Sequence, residues 1–152
     1  ARRDMRLPEV TNDDIVAALN ISEATINSIA RQEQEELQRQ DRLYRGNRPV
    51  LNVFGATVIL VDDGLATGTT MRAAVLALRK QEPSRIIIAV PVAAPETCTR
   101  FRSEVDEIIC GITPEPLGSI GDWYERFVQL SDEDVAELLD RVLLIKQSVP
   151  EL

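Results

Sequence analysis

Apolar and polar positions along this chain sort into short apolar runs separated by helical patterns. Val58-Ile59-Leu60-Val61 is an unbroken apolar run with three β-branched residues, and Ile86-Ile87-Ile88-Ala89-Val90 is a second of the same kind. Runs this short and this rich in β-branched residues predict strands buried on both faces, as in a parallel sheet. Glu107-Ile108-Ile109-Cys110 predicts a third, shorter strand, and Pro91 is expected to end the second. Between the first two strands lies an alanine-rich helical pattern over 71–80. Between the second and third, Pro95 stands where a first helical turn tolerates proline, and its helix is expected to run through 101–104. Strands alternating with helices at this spacing indicate βαβ units.

The flanks read as helical. Thr11 or Asn12 can cap a short helix, with Asp13 and Asp14 in its first turn and Ile15, Val16 and Leu19 on one face. Ser22 caps a longer helix reaching about Tyr44, whose apolar stripe (Ile26, Ile29, Ala30, Leu37, Tyr44) is thin. A solvated helix packed by a narrow seam is expected, with seating on a second copy in a homo-oligomer as the alternative. Gly46 stops this helix and Asn47-Arg48-Pro49 breaks the chain. Beyond the third strand, Pro114-Glu115-Pro116-Leu117-Gly118 predicts a loop, after which Trp123, Tyr124 and Phe127 gather. Ser131 with Asp134 three residues later resembles a capping box that opens a final helix. The whole is expected to be one domain: a helical segment over 1–46, a βαβ core over 50–118, and an aromatic loop with the last helix over 119–152.

Composition narrows the chemistry. At 152 residues, with 44% hydrophobic and 28% charged residues, the chain has the size and make-up of a folded domain. It has no apolar run of about 18 residues, so no membrane partner is expected. The net charge of −8 makes nucleic acid an unexpected partner, and leaves an anionic ligand to be held by backbone N–H groups, hydroxyls and a divalent cation. The absence of histidine removes Ser-His-Asp and Cys-His catalysis and histidine-ligated metals. Cys98 and Cys110 lack CxxC spacing, so they are expected to be buried thiols in a reducing, cytoplasmic compartment.

The chemistry concentrates where the first strand ends. Asp62 and Asp63 close the strand, Gly64-Leu65-Ala66-Thr67-Gly68-Thr69-Thr70 follows, and the helix starts where that loop stops. Ligands of open α/β sheets sit outside the carboxyl ends of strands, and a helix N-terminus offers N–H groups and a favourable dipole to an anion. Adjacent carboxylates repel unless a cation or hydroxyl donors lie between them. A ribose with vicinal hydroxyls, or Mg²⁺ through water, supplies that need. Thr67, Thr69 and Thr70 add hydroxyls, and Gly68 admits close backbone approach. Two competing motifs fail. A nucleotide-binding loop needs four residues between its glycines and a lysine after the second; here three residues separate Gly64 from Gly68 and no lysine follows. A response-regulator receiver domain begins with its acid-tipped strand and carries an Asp on a later one, whereas this strand starts at residue 58 and the next ends in Pro91-Val92.

Residues 58–70 resemble the phosphoribosyl-diphosphate signature of type I phosphoribosyltransferases: four hydrophobics, two acids, a short loop and Thr-Gly-x-Thr. The resemblance implies an α/β, Rossmann-like parallel sheet. Three strands are fewer than such sheets carry, so this one is expected to be N-terminally incomplete, with strands before Ala1. It also implies a Mg²⁺-dependent pentosyltransferase of nucleotide salvage, transferring ribose 5-phosphate from phosphoribosyl diphosphate to a nucleobase-like acceptor with release of pyrophosphate. Asp62 and Asp63 would hold the ribose hydroxyls, directly or through Mg²⁺, and Gly64 to Thr70 would wrap the 5-phosphate. Trp123 falls where members place an aromatic against the base, with core packing as the alternative. Ala66 stands where hypoxanthine/guanine-type members have an Asp, which points away from 6-oxopurines. The family's pyrophosphate loop has no counterpart before residue 50, so a regulatory phosphoribosyl-binding module is the second expectation.

Overall fold

The structure, a computed structural model, describes Val16, residues 19–46 and residues 48–148, with side chains to residue 142. Apart from Val16, the short helix expected from Thr11 or Asn12 lies outside these residues. The described chain divides into two compact units, one built from residues 51–127 with Val16 and Leu19, and one from 20–50 together with 128–148.

The first unit holds the sheet. Strands β1 (Thr57–Val61), β2 (Arg85–Val92) and β3 (Glu107–Ile112) lie parallel in the order β1-β2-β3. Their register runs Val58↔Ile86 and Leu60↔Ile88 on one side of β2, and Ile88↔Ile108 and Val90↔Cys110 on the other. After β1 the described chain enters helix α2 (Thr69–Arg79), and after β2 it enters helix α3 (Pro95–Phe101). Two successive crossovers that step in the same direction place both helices on one face, because each turns with the same right hand. That face is the core: Ile86, Ile88 and Val90 from β2 meet Met71 and Val75 from α2, with Cys98, Phe101 and Val105 at the α3 end.

Here the structure departs from two expectations. Strand β1 is half-buried on one face and open on the other, with Ile59 59% and Val61 74% exposed among the described residues. The unbroken apolar run correctly marks a strand apolar on both sides, yet both crossover helices cover the same side. Strand β2 also runs on through Pro91 to Val92. Pairing of Val92 with Ile112 lies just beyond the proline, so the missing N–H interrupts the ladder without ending it.

The α3–β3 corner is tied down by several groups. The Asp106 carboxylate accepts the Ile86 N–H at 2.8 Å and pairs with Arg79 at 3.2 Å. The Ile86 amide first, and Arg79 after it, hold the Asp106 carboxyl below its ordinary range. Cys98 on α3 and Cys110 on β3 are joined by a disulfide, their Cα atoms 6.8 Å apart. This corrects the expectation of two free thiols. The pairing follows from α3 crossing over β3, which a spacing of 12 residues does not announce.

The second unit is helical. Helix α1 (Glu23–Arg45) opens at Ser22, whose Oγ accepts the Thr25 N–H at 3.2 Å, and closes at Gly46, whose N–H donates to Arg42 O. It packs on α4 (Asp132–Ser148). The expected capping box is present: Ser131 Oγ accepts the Asp134 N–H at 3.2 Å, and Asp134 Oδ2 accepts the Ser131 N–H at 2.9 Å. No residue of α1 is fully buried, as its thin stripe implies. The two helices are pinned by Asp132, which accepts from Tyr44 Oη at 2.5 Å and Arg39 Nη2 at 2.7 Å. Tyr44 and Arg39, in that order, lower the Asp132 carboxyl below its ordinary value.

Two outcomes follow. Phe101 is fully buried, so Phe101→Ala is expected to destabilise the sheet unit by about 3–5 kcal/mol in urea unfolding. A loss under about 1 kcal/mol would show that the site collapses around the smaller side chain. Asp106 and Asp132 have depressed folded pKa values, so their stabilisation is complete above the unfolded carboxylate value and is lost as pH falls through the folded one. Thermal unfolding temperature is therefore expected to drop on acidification, and Asp132→Asn is expected to flatten that dependence.

Candidate functional site

The site is built by a loop that is tied back to the sheet at one residue. After the Asp62–Asp63 tip the backbone turns at Gly64 and returns to β2: Leu65 N–H donates to Val92 O and Ala94 N–H donates to Leu65 O, both at 2.9 Å. Leu65 bridges to Ala93 in parallel fashion and is 2% exposed. Leu65 is therefore the loop's buried anchor. Its amide is committed to Val92 O, so the donors left open in the loop lie beyond it.

Beyond that anchor, Ala66, Thr67, Thr69 and Thr70 are exposed, and Gly68 carries the chain into α2 with φ +76°. That left-handed conformation favours glycine. Gly68 also sits against α3, where a Cβ would lie 2.6 Å from the Phe101 ring. Gly68 is the N-cap of α2, its carbonyl accepting the first helical bond from Arg72 N–H at 2.8 Å. A glycine N-cap has no side chain to satisfy the first-turn amides, so that turn remains a donor surface. Thr67 and Thr69 hydroxyls lie 3.3 Å apart across the mouth of the loop.

The acidic tip is also exposed. Asp62 Oδ1 accepts the Asp63 N–H at 3.0 Å. Partial burial first, and the neighbouring Asp63 charge as well, raise the Asp62 carboxyl above its ordinary value. An acid held in that condition favours an added cation or hydroxyl donor. Among the described residues no group of three or more His, Cys, Asp or Glu side chains forms a closed metal cage. Two hard oxygen donors without a third suit Mg²⁺, which keeps several waters and completes its shell with substrate oxygens.

The aromatic segment docks on this tip. Residues 120–123 form a 3₁₀ turn with a Ser119–Asp122 capping box, and Tyr124 Oη donates to Asp63 O at 2.6 Å. Ile120 lies over Gly64, where a Cβ would come within 2.5 Å of its side chain. Tyr124 packs against Phe127 with ring centroids 5.3 Å apart. Trp123 donates its Nε1–H to Leu117 O at 2.7 Å and remains 44% exposed. Its ring is thus fixed at one edge and open to solvent, unlike a core tryptophan.

Sequence reasoning named Tyr124 only as one of the gathered aromatics, and it missed Ile120, Thr97 and Arg100. Tyr124 and Ile120 seat the aromatic segment, while Thr97 and Arg100 of α3 donate to carbonyls of the loop. Nothing in their local spacing marks them, because each acts across a separation of some 30 residues or more.

Comparison with known proteins gives the family. Residues 9–130 match the family described as Phosphoribosyl transferase domain. Two proteins of Mycobacterium tuberculosis, from strains CDC 1551 / Oshkosh and ATCC 25618 / H37Rv, are each 34% identical over 132 residues. Both carry the name "Putative phosphoribosyl transferase". That similarity takes in 87% of this chain and 30% of either relative, so the chain spans less than a third of their length. The crystal structure of TT1426 from Thermus thermophilus superposes with a TM-score of 0.69 at 33% identity, over 80% of this chain and 59% of that one. With the family match extending over most of its residues and through the acid-tipped strand and its loop, the chain belongs to the phosphoribosyl transferase domain family.

Proposed function

We propose that this chain supplies the ribose 5-phosphate half-site of a phosphoribosyltransferase. In that reaction the bond from the anomeric carbon to pyrophosphate breaks, and a nitrogen lone pair of a base-like acceptor forms the new bond. One observation carries the reading. A sheet-anchored loop joins two exposed carboxylates at the end of β1 to a helix N-terminus capped only by glycine. Carboxylates accept from vicinal ribose hydroxyls, and loop amides and threonine hydroxyls donate to a phosphate dianion. The separation of acid from donor along one loop matches a ligand that is a diol at one end and an anion at the other.

Asp62 and Asp63 would hold Mg²⁺ on this reading; when bound, the ion supplies charge neutralisation for the departing pyrophosphate. The chain's own contribution is positional. The diol and the 5-phosphate are fixed at two points, which orients the anomeric carbon while positive charge develops on the ring. The exposed face of Trp123 offers a stacking surface for a planar acceptor, and Ala66 leaves no acid beside Thr67 to manage a base proton.

The test is calorimetry of the full-length protein with phosphoribosyl diphosphate and Mg²⁺, followed by pyrophosphate release with a panel of bases. Binding with release supports the transferase. Binding with no release from any base would move the assignment to a regulatory binding module, and no binding would refute both. In the same assay Asp62→Asn combined with Asp63→Asn is expected to abolish Mg²⁺-dependent binding; unchanged affinity would refute their role.

A further inference from the structure

Helix α3 lies directly beneath the loop. Thr97, 3% exposed, donates from Oγ1 to Ala66 O at 2.6 Å, and Arg100 Nη2 donates to Thr67 O at 2.5 Å. The Phe101 ring and the Thr97 methyl fill the space where a side chain at Gly68 would be. In a trans peptide the carbonyl and the following N–H point in opposite directions. A carbonyl drawn toward α3 therefore sends the next amide away from it. We infer that Thr97 and Arg100 are positioning residues for the proposed phosphoribosyl site: by holding the Ala66 and Thr67 carbonyls, they aim the Thr67 and Gly68 amides at the 5-phosphate. The inference rests on the functional reading above.

The physical need is plain. Loop peptides beside a glycine flip readily, and a flipped peptide presents its carbonyl dipole, not its N–H, to the anion. Two donors from a fixed helix remove that option at adjacent peptides. The helix itself is well held, by the fully buried Phe101 and by the disulfide from Cys98 to Cys110. Arg100 adds a positive charge beside the loop in a chain of net charge −8. Neither residue hydrogen-bonds to the Asp62–Asp63 tip, so their influence is directed to the phosphate end of the ligand and not to the diol end.

The test compares affinities for ribose 5-phosphate and for Mg²⁺ alone in the full-length protein by calorimetry. Thr97→Val, which keeps the shape and removes the hydroxyl, is expected to weaken ribose 5-phosphate about 5- to 10-fold, the scale of one hydrogen bond. Thr97→Ser is expected to restore it. Mg²⁺ affinity is expected to stay unchanged in both. Arg100→Leu, at an exposed position where folding is not at stake, is expected to weaken ribose 5-phosphate at least as much, with partial recovery in Arg100→Lys. Ribose 5-phosphate affinity unchanged in Thr97→Val and Arg100→Leu would overturn the inference. So would a loss that Thr97→Ser fails to restore, or one shared equally by Mg²⁺, since either marks a merely structural role. Failure of the unsubstituted protein to bind ribose 5-phosphate would overturn the functional reading itself.

Discussion

The arrangement depends on two backbone hydrogen bonds, Leu65 N–H to Val92 O and Ala94 N–H to Leu65 O. They return the chain to the sheet just after the acidic tip. A loop of small residues leaving the outer strand of the described sheet would otherwise be free to move, because it buries little apolar surface of its own. Pinned at Leu65, it reaches α2 with its path set at both ends. The left-handed turn at Gly68 and the seat of that glycine on Phe101 and Thr97 complete the constraint.

Under the proposed function, that constraint decides how an acidic chain would hold an anion. On that reading, the loop would meet a phosphate with partial charges: amides at a helix start and threonine hydroxyls, with two loop carbonyls held by donors from α3. Fixed dipoles need no reorganisation when the ligand arrives. The acids stand apart, at the other end of the loop, where the Asp62 carboxyl is raised by burial and by its neighbour. Tyr124 joins the aromatic segment to the same tip through Asp63 O. Under the proposed function, the surfaces for the diol, the phosphate and the planar acceptor would radiate from one strand end.

Much of this was legible in the order of residues. The three strands, their crossover helices, the Ser22 and Ser131 caps and the acid-tipped strand with its loop all rest on local signals, and the structure places them as those signals predict. What escaped reading was long-range. Whether an apolar strand such as β1 has both faces covered depends on where its crossovers lie, not on its own residues. The Cys98–Cys110 bond, the anchoring of Leu65 and the donors from Thr97 and Arg100 depend on elements that meet only after folding. Trp123 shows the same limit, since its sequence neighbourhood does not reveal that its indole N–H is bound to Leu117 O while its ring faces solvent.

The central claim is that the loop from Ala66 to Thr70 receives a sugar phosphate through its backbone. The most direct measurement is the response of individual backbone amides, by nitrogen-15 resonance spectroscopy, to titration with ribose 5-phosphate in the absence of Mg²⁺. The account predicts that the amides of Thr67, Gly68, Thr69 and Thr70 shift most, while the Leu65 amide, already bound to Val92 O, shifts little. Saturable shifts confined to another surface, or none at all, would contradict it.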